Sequence, residues 1–524
     1  MSITSCSKWA ENYRVMGTPY PGKYSFERHP WCKQMHDDNA ELMVGMKAAQ
    51  MGFTEVALNK AFYAIDILRE SVLYVLPAQT PDAGNFSRSR FDPALEMSPH
   101  LSELFSDVKN VVHKRAGSAN LFIVGSRSRS QLKSNPCAKT IADEVEEMDQ
   151  SNIALIPERM AGQIDPQMFM LSTPSLPRMG IHKYFLNSSQ NHYMFTCPSC
   201  SKWTELIFPE CLVITADSVT DAKIKNSHLI CKECKNILPH EKKNEWLKSA
   251  KWVETYTDRM STGYHVSQLY SPTMKPYQIA LGYLQGQINS DDEQEFYNSK
   301  LGLPHEVEGA RITDSILADS VGGHIMQTSR TNNNQIITMG VDVGKYFHVW
   351  VDAWDRHGCR TLFVTKTRDI KSVTDILRKF QVNMCVMDIH PEKRLSLEFA
   401  KSNHGHVKRC MYKRGHSGKI IVGDGEDEDT EYLISVDRTA TLDKSMGRVK
   451  NKRVKLPKDL PNEAKEHLKT LVRITKKDPE GNPIARYDKD ENAEDHYSHA
   501  RNYSEIAFSY VKMHGGNQDI RGVL

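Results

Sequence analysis

The stretch IITMGVDVGKYFHVWVDAW (336–354) decides the reading of this chain. An apolar run drives into Asp342, breaks at Gly344, and resumes with strand-like alternation. Two such runs split by a glycine predict a strand and its returning neighbour. Asp342 is therefore expected in a strand, where metal-dependent nucleases present a first carboxylate. Two more acids stand in apolar settings. In VNMCVMDIHPEKR (382–394) the run ends at Asp388, followed by Pro391 and a basic helix start. DENAEDHYSHARNYSEIAFSYV (490–511) reads as a helix that brings in Asp495. Carboxylates from two strand tips and a helix suit two Mg²⁺ or Mn²⁺ ions about 4 Å apart, activating water for in-line attack on phosphate. Taken singly, each acid reads more readily as an N-cap or a surface charge. Glu491, Glu494, His496 and His499 are alternates or supporting groups.

The 524 residues are too many for one core and imply two or three domains. A hydrophobic fraction of 39% and a charged fraction of 25% belong to a globular chain. No run of 18 apolar residues suggests a membrane span. The opening MSITSCSKWAENYRVM has no apolar signal core, so a cytoplasmic location is expected. A net charge of +3 is too small to indicate nucleic acid, which leaves the argument to local patches.

Strand and helix patterns alternate through the first 180 or so residues, which predicts a parallel α/β sheet. LMVGM (42–46) reads as a strand that runs through KAAQMGFTE toward a helix over 56–68. Strand, glycine-bearing loop and helix aim backbone N–H groups at phosphate, and the same pattern also fits an ordinary βα turn. Gly52 and Thr54 hold the usual places of G-x-x-x-x-G-K-[ST], but Phe53 stands where Lys is usual, and Lys47 lies at the loop's front edge, where it could supply the charge instead. In TIADEVEEMD an apolar run ends at Asp143-Glu144, one acid for Mg²⁺ and the next to activate water. An acidic helix start is the plainer reading. MFMLSTPS (168–175) puts Ser172 and Thr173 at a strand tip, where hydroxyls sense a γ-phosphate. SRSRF (87–91) and GSRSRS (125–130) bring arginines after predicted strands, for transition-state charge, for DNA or for solvent.

Of eleven cysteines, four form the pairs Cys197/Cys200 and Cys231/Cys234. Two CxxC knuckles make a tetrahedral thiolate set that suits structural Zn²⁺ and leaves no open position. Cys211 between them reads as a buried thiol. SVGGHIMQTSRTNNNQ (320–335) reads as a linker, and GDGEDEDTEY (423–432) as an acidic solvated loop. GRVKNKRVKLPK (447–458) gathers cations, among them Arg448, Lys450, Lys452, Arg453 and Lys455, into a patch for phosphates or a solvated connection. The segment 471–487 reads as a basic hairpin turning at Asp478-Pro-Glu-Gly481.

Together KAAQMGFTE, YVLPAQTPDAGNFSRSRFDPAL, GSRSRSQLKS, ADEVEEMD, LSTP, CPSC, GYHVSQLYSP, FYNSKLGLP, MGVDVG, CVMDIHPEKR and AEDHYSHARNY make a specific set. On them the chain resembles the large subunit of tailed-phage terminase, lambda type, over nearly its whole length. The resemblance implies a P-loop (ASCE-type) ATPase domain over 1–185, a zinc-ribbon-like insertion over 186–255, connecting helices and a linker over 256–335, and an RNase H-like nuclease domain over 336–524. It implies ATP-driven movement of double-stranded DNA into a procapsid and metal-dependent cutting of concatemers. Lys47, Gly52, Thr54 and Asp143 would hold ATP and Mg²⁺, Glu144 would be the base, and Ser172 and Thr173 would couple hydrolysis to movement. Asp342, Asp388 and Asp495 would ligate the nuclease metals. An aromatic near the N-terminus, Tyr24 or Trp31, would meet adenine. Implied partners are DNA, a small terminase subunit, the portal vertex and further copies in a ring, all in the host cytoplasm.

Two other readings compete. A zinc-ribbon transposase or integrase would need the nuclease acids and no ATPase, and a DNA-binding scaffold would need neither. Glu144→Ala discriminates the first, and Asp342→Asn the second.

Overall fold

The computed structural model describes residues 5–514 except 107, 134–135, 357, 414–418, 424–428, 478–482 and 491–492. The middle of the acidic stretch, the expected turn at Asp478 and the alternate ligand Glu491 lie outside the described residues. The chain divides into two compact units, Met1–Val307 and Glu308–Leu524.

The first unit is built on an eight-stranded sheet. Its order is Thr262–Val266, Leu42–Lys47, Gln167–Ser172, Lys139–Asp143, Val72–Leu76, Ala119–Gly125, His113–Ala116, Val108–Lys109. The first six are mutually parallel, and the last two add an antiparallel edge. Val72–Leu76 and Lys139–Asp143 are buried at every residue, as expected where helices cover both faces. Gln167–Ser172 lies between the strand ending in Lys47 and the strand ending in Asp143, so three tips converge on one edge. The cysteine-bearing stretch is an excursion of two three-stranded sheets. After it the chain returns to the main sheet, where Thr262–Val266 pairs in parallel with Leu42–Lys47. The expected connector 256–335 is thus shared: its first part completes the first unit's sheet, and the part from Glu308 onward belongs to the second unit.

The second unit carries the order Ile421–Val422, Leu433–Val436, Val407–Tyr412, Met384–Asp388, Ile336–Val343, Phe347–Asp355, Gly358–Thr367, Val454–Lys455. Ile336–Val343, Phe347–Asp355 and Gly358–Thr367 form an antiparallel meander, and Met384–Asp388 joins in parallel beside the first. The first two are almost wholly buried because the helix His496–His514 packs across them. Gly340 allows this approach: a Cβ there would sit 1.9 Å from the Ala500 carbonyl oxygen and 2.4 Å from the Ser504 nitrogen. Thr338 Oγ1 and Ser504 Oγ, 2.8 Å apart, tie strand to helix. Beneath them Arg501, Asp352 and Glu505 form a charged group of 1% exposure or less.

Candidate active sites

In the first unit, Gly52 adopts φ +84° and starts the helix Phe53–Tyr63, with Thr54 in its first turn. N–H groups of a first helical turn have no carbonyl behind them and are the natural anion donors. The preceding loop is braced from behind. The Ala48 and Ala49 N–H groups donate to the Val266 and Ser299 carbonyls, at 3.1 and 2.7 Å. Gly302, at φ +66°, approaches so closely that a Cβ would lie 2.4 Å from the Ala48 nitrogen. Phe53 is 1% exposed and packs over Gly45, where an added Cβ would lie 2.8 Å from its ring. The position usually given to lysine thus anchors the helix in the core.

Lys47 Nζ lies 3.5 Å from Glu144 Oε1. Glu144 takes a left-handed φ of +63° directly after the strand Lys139–Asp143. Asp143 is buried: Tyr74 donates to its Oδ2 at 2.7 Å, and its Oδ1 has no hydrogen-bond partner among the described residues. Burial, then the charge of Glu144, push the Asp143 carboxyl up to about 7. A buried carboxylate oxygen left unmatched beside a cationic loop suits a divalent cation and its waters. Ser172 Oγ reaches Glu144 Oε2 at 3.5 Å and accepts from the Glu146 N–H at 3.2 Å. Glu146 also accepts from Ser175 Oγ and, at 3.1 Å, from the Ile181 N–H. Thr173 follows Ser172, half-buried. Arg90 approaches Glu55 at 4.0 Å, and Arg129 donates to Asn152 at 2.9 Å.

Trp31 offers no ring face for adenine: it is fully buried, and its indole N–H donates to the Met51 carbonyl at 2.8 Å. Tyr24 is buried against Phe26 and His36. Trp31 thus supports the loop instead of opening onto it.

The four cysteine sulfurs lie within 4.8 Å of one another. Each knuckle repeats the same local pattern. Ser199 N–H points at Cys197 Sγ and Glu233 N–H at Cys231 Sγ, both at 3.4 Å. Ser201 and Lys235, each one residue past a pair, both take a left-handed φ near +58°. Cys211 is a buried thiol facing the Glu205 carbonyl.

In the second unit, Asp342 and Asp388 stand at the same ends of adjacent parallel strands, one step beyond the registered pair Val341 and Met387. Burial, then the charge of Asp342 among the smaller effects, raise the Asp388 carboxyl. Asp495 immediately precedes the last helix. Burial would raise its carboxyl, but His499 at 3.2 Å and Lys489 at 2.5 Å outweigh this and hold it below the usual range. The tight group around Asp342, however, is formed with His348 and His496, one donor atom of each lying within 4.8 Å of the others. The order of acids gave no sign of His348, which reaches the site only through strand register.

Of the five cations expected to face DNA, two turn inward. Arg448 holds Glu505 through two 2.9 Å bonds, and Lys450 donates to the Gly309 and Ala310 carbonyls. Releasing Arg448 to a phosphate would take two of the hydrogen bonds that the buried Glu505 accepts and leave it to Arg501. Lys452, Arg453 and Lys455 are exposed, Lys452 with Asp319 as partner.

A parallel sheet bearing a phosphate-type loop, together with a mixed sheet bearing acids at its strand ends, fits an ATPase joined to a nuclease. The chain belongs to the family of phage terminase large subunits of the gpA type. Residues 18–252 match the phage terminase large subunit gpA ATPase domain, and residues 261–519 match the terminase large subunit gpA endonuclease domain. The protein is therefore an ATPase and an endonuclease of phage DNA packaging, and the motor-free integrase reading is set aside. The curated proteins contain no match to it. Among solved structures it is similar to the HK97 bacteriophage large terminase, at 11% identity and TM-score 0.48, covering 96% of this chain and 98% of that one. It is also similar to a large terminase from a thermophilic bacteriophage, at 9% identity and TM-score 0.32, covering 93% and 99%. The large terminase nuclease of thermophilic phage G20c aligns at 10% identity and TM-score 0.25, covering 37% of this chain and 98% of that one. The family assignment rests on the two domain matches. No described helix is long and apolar enough to cross a membrane.

Proposed function

We propose that the chain hydrolyses ATP at Lys47, Gly52, Thr54, Asp143 and Glu144 to move double-stranded DNA, and cuts that DNA at Asp342, Asp388 and Asp495. The observation that carries the reading is the convergence at one sheet edge of Lys47, Asp143, Glu144 and Ser172, with the Lys47–Glu144 contact of 3.5 Å at its centre. First-turn N–H groups and Lys47 hold the triphosphate, and Thr54 and Asp143 face its cation. Mg²⁺, when bound, offsets phosphate charge. Glu144 orients and deprotonates the attacking water once phosphate draws Lys47 away. Ser172 and Thr173 pass the change onward, since Ser172 links Glu144 to Glu146, and Glu146 holds Ser175 and the Ile181 N–H. ATP hydrolysis by the full chain, lost in Glu144→Gln, tests this reading.

In the nuclease, Mg²⁺ or Mn²⁺ supplies charge neutralisation and an activated water. Asp388, raised by burial and its neighbours, gains most from a nearby cation. Lys489 must leave Asp495 for that carboxylate to take part. The exposed Lys452, Arg453 and Lys455, with Lys345 beside the Asp342 hairpin, are the phosphate-facing cations. Zn²⁺ on Cys197, Cys200, Cys231 and Cys234 braces the excursion from the first unit's sheet. The portal vertex, a small terminase subunit, further copies in a ring, and the host cytoplasm complete the setting of this activity. The proposed division keeps 1–185 for the ATPase, 186–255 for the zinc-bearing insertion and 336–524 for the nuclease, with 256–335 shared: Thr262–Val266 serves the ATPase sheet and the part from Glu308 onward joins the second unit.

A further inference from the structure

We propose that the centre at Asp342 contains nitrogen ligands: His348 and His496 join the Asp342 carboxylate in holding a first-row transition ion such as Mn²⁺. The inference rests on the nuclease reading above and deepens it by naming the ligand set and the class of metal.

Three observations meet at one point. Asp342 and His348 are cross-strand partners in the antiparallel pair, so both side chains stand on one face of the sheet. The last helix begins on that face with His496, whose Nδ1 lies 2.8 Å from Asp342 Oδ2. The His348 and His496 rings stack at 4.6 Å with planes 9° apart.

His348 is 3% exposed, yet its Nδ1 has no hydrogen-bond partner among the described residues. A buried ring nitrogen left unmatched is a cost that folded proteins seldom carry without a ligand, a water or an ion to meet it. The donor atoms of Asp342, His348 and His496 already lie within 4.8 Å of one another, close enough to share one ion.

The donor chemistry sets the class of ion. Mg²⁺ keeps oxygen ligands and waters, whereas imidazole suits the later first-row ions, and Mn²⁺ accepts both donor types. Two imidazoles with one carboxylate therefore shift preference from Mg²⁺ toward Mn²⁺ and the ions after it. Asp388 and Asp495 lie outside this tight group and remain for a second, oxygen-rich position.

Pulsed EPR of Mn²⁺ added to the full chain tests the ligand set without reference to cleavage. The expected spectrum shows nitrogen coupling to bound Mn²⁺. His348→Asn and His496→Gln each reduce that coupling and weaken Mn²⁺ binding by about tenfold or more, with a much smaller loss for Mg²⁺ measured by competition. If His348→Asn fails to fold, as judged by circular dichroism, His496→Gln at the helix start decides. Bound Mn²⁺ that shows only oxygen coordination, and that is lost in Asp342→Asn, overturns the nitrogen ligands and leaves the nuclease reading standing. Mn²⁺ binding that survives Asp342→Asn unchanged overturns both.

Discussion

Lys47 Nζ and Glu144 Oε1 are 3.5 Å apart, so the loop's cation and the acid beside Asp143 hold each other when no nucleotide separates them. The lysine is buried and the glutamate about half exposed. Nucleotide phosphate competes for the lysine and frees the carboxylate to face water. Lys47→Ala should weaken nucleotide binding and cut ATP hydrolysis by about 10² or more. Fluorescent-nucleotide titration beside a phosphate-release assay separates the two effects. A Lys47→Ala chain with an unaltered hydrolysis rate would remove Lys47 from the site.

Asp143 is protonated in the folded chain at pH values where an ordinary aspartate is ionised, because burial and Glu144 push it up to about 7. The folded state therefore binds more protons than the unfolded state between about pH 4 and 7. Stability from this group is present below its unfolded value and is lost as pH rises through the folded one. The nucleotide-free chain should show a lower melting temperature at pH 8 than at pH 5.5 from this cause. Asp143→Asn should flatten that slope and raise the pH 8 midpoint by a few degrees, because each tenfold difference in proton affinity between the two states is worth about 1.4 kcal/mol. Differential scanning calorimetry across pH reads it, and a slope unchanged in the variant would contradict the assignment.

Gly340 lets the last helix lie on the strand that carries Asp342. Alanine there cannot fit without moving helix backbone. Gly340→Ala should destabilise the second unit by about 3 kcal/mol or more and abolish cleavage. Urea denaturation followed by tryptophan fluorescence measures it, since Trp350 and Trp354 lie in this core. A variant as stable as wild type would show that the helix does not press on the strand.

The four cysteines should hold zinc as a structural ion. Metal analysis should find one Zn²⁺ per chain in wild type and none in a Cys197→Ser, Cys231→Ser double variant. Chelation should loosen 190–255 in hydrogen exchange and leave the nuclease unit protected. Absence of zinc from carefully purified protein would contradict it.

Much of the framework is legible in the sequence because it is local. The strand ending in Asp143 is a short apolar run, and Asp342 sits in an apolar run followed by alternation, patterns set by neighbours along the chain. What stays hidden depends on distant pairing. Phe53 reads as a flaw in the phosphate loop, yet it fills space over Gly45. Ser299 and Gly302 brace that loop from some 250 residues away. His348 stands beside Asp342 only because one hairpin register puts it there, and Arg448 turns inward because Glu505 on another helix claims it. Asp495, expected within the last helix, stands just before it, paired with Lys489 and His499.

The most direct test compares Glu144→Gln and Asp342→Asn with wild type in two assays on the same preparations: DNA-stimulated ATP hydrolysis, and plasmid cleavage with Mg²⁺ or Mn²⁺. Glu144→Gln should lose hydrolysis and keep cleavage, and Asp342→Asn should do the reverse. If Asp342→Asn still cuts the plasmid, or if Glu144→Gln still hydrolyses ATP at the wild-type rate, the assignment of two separate catalytic centres to these residues is contradicted.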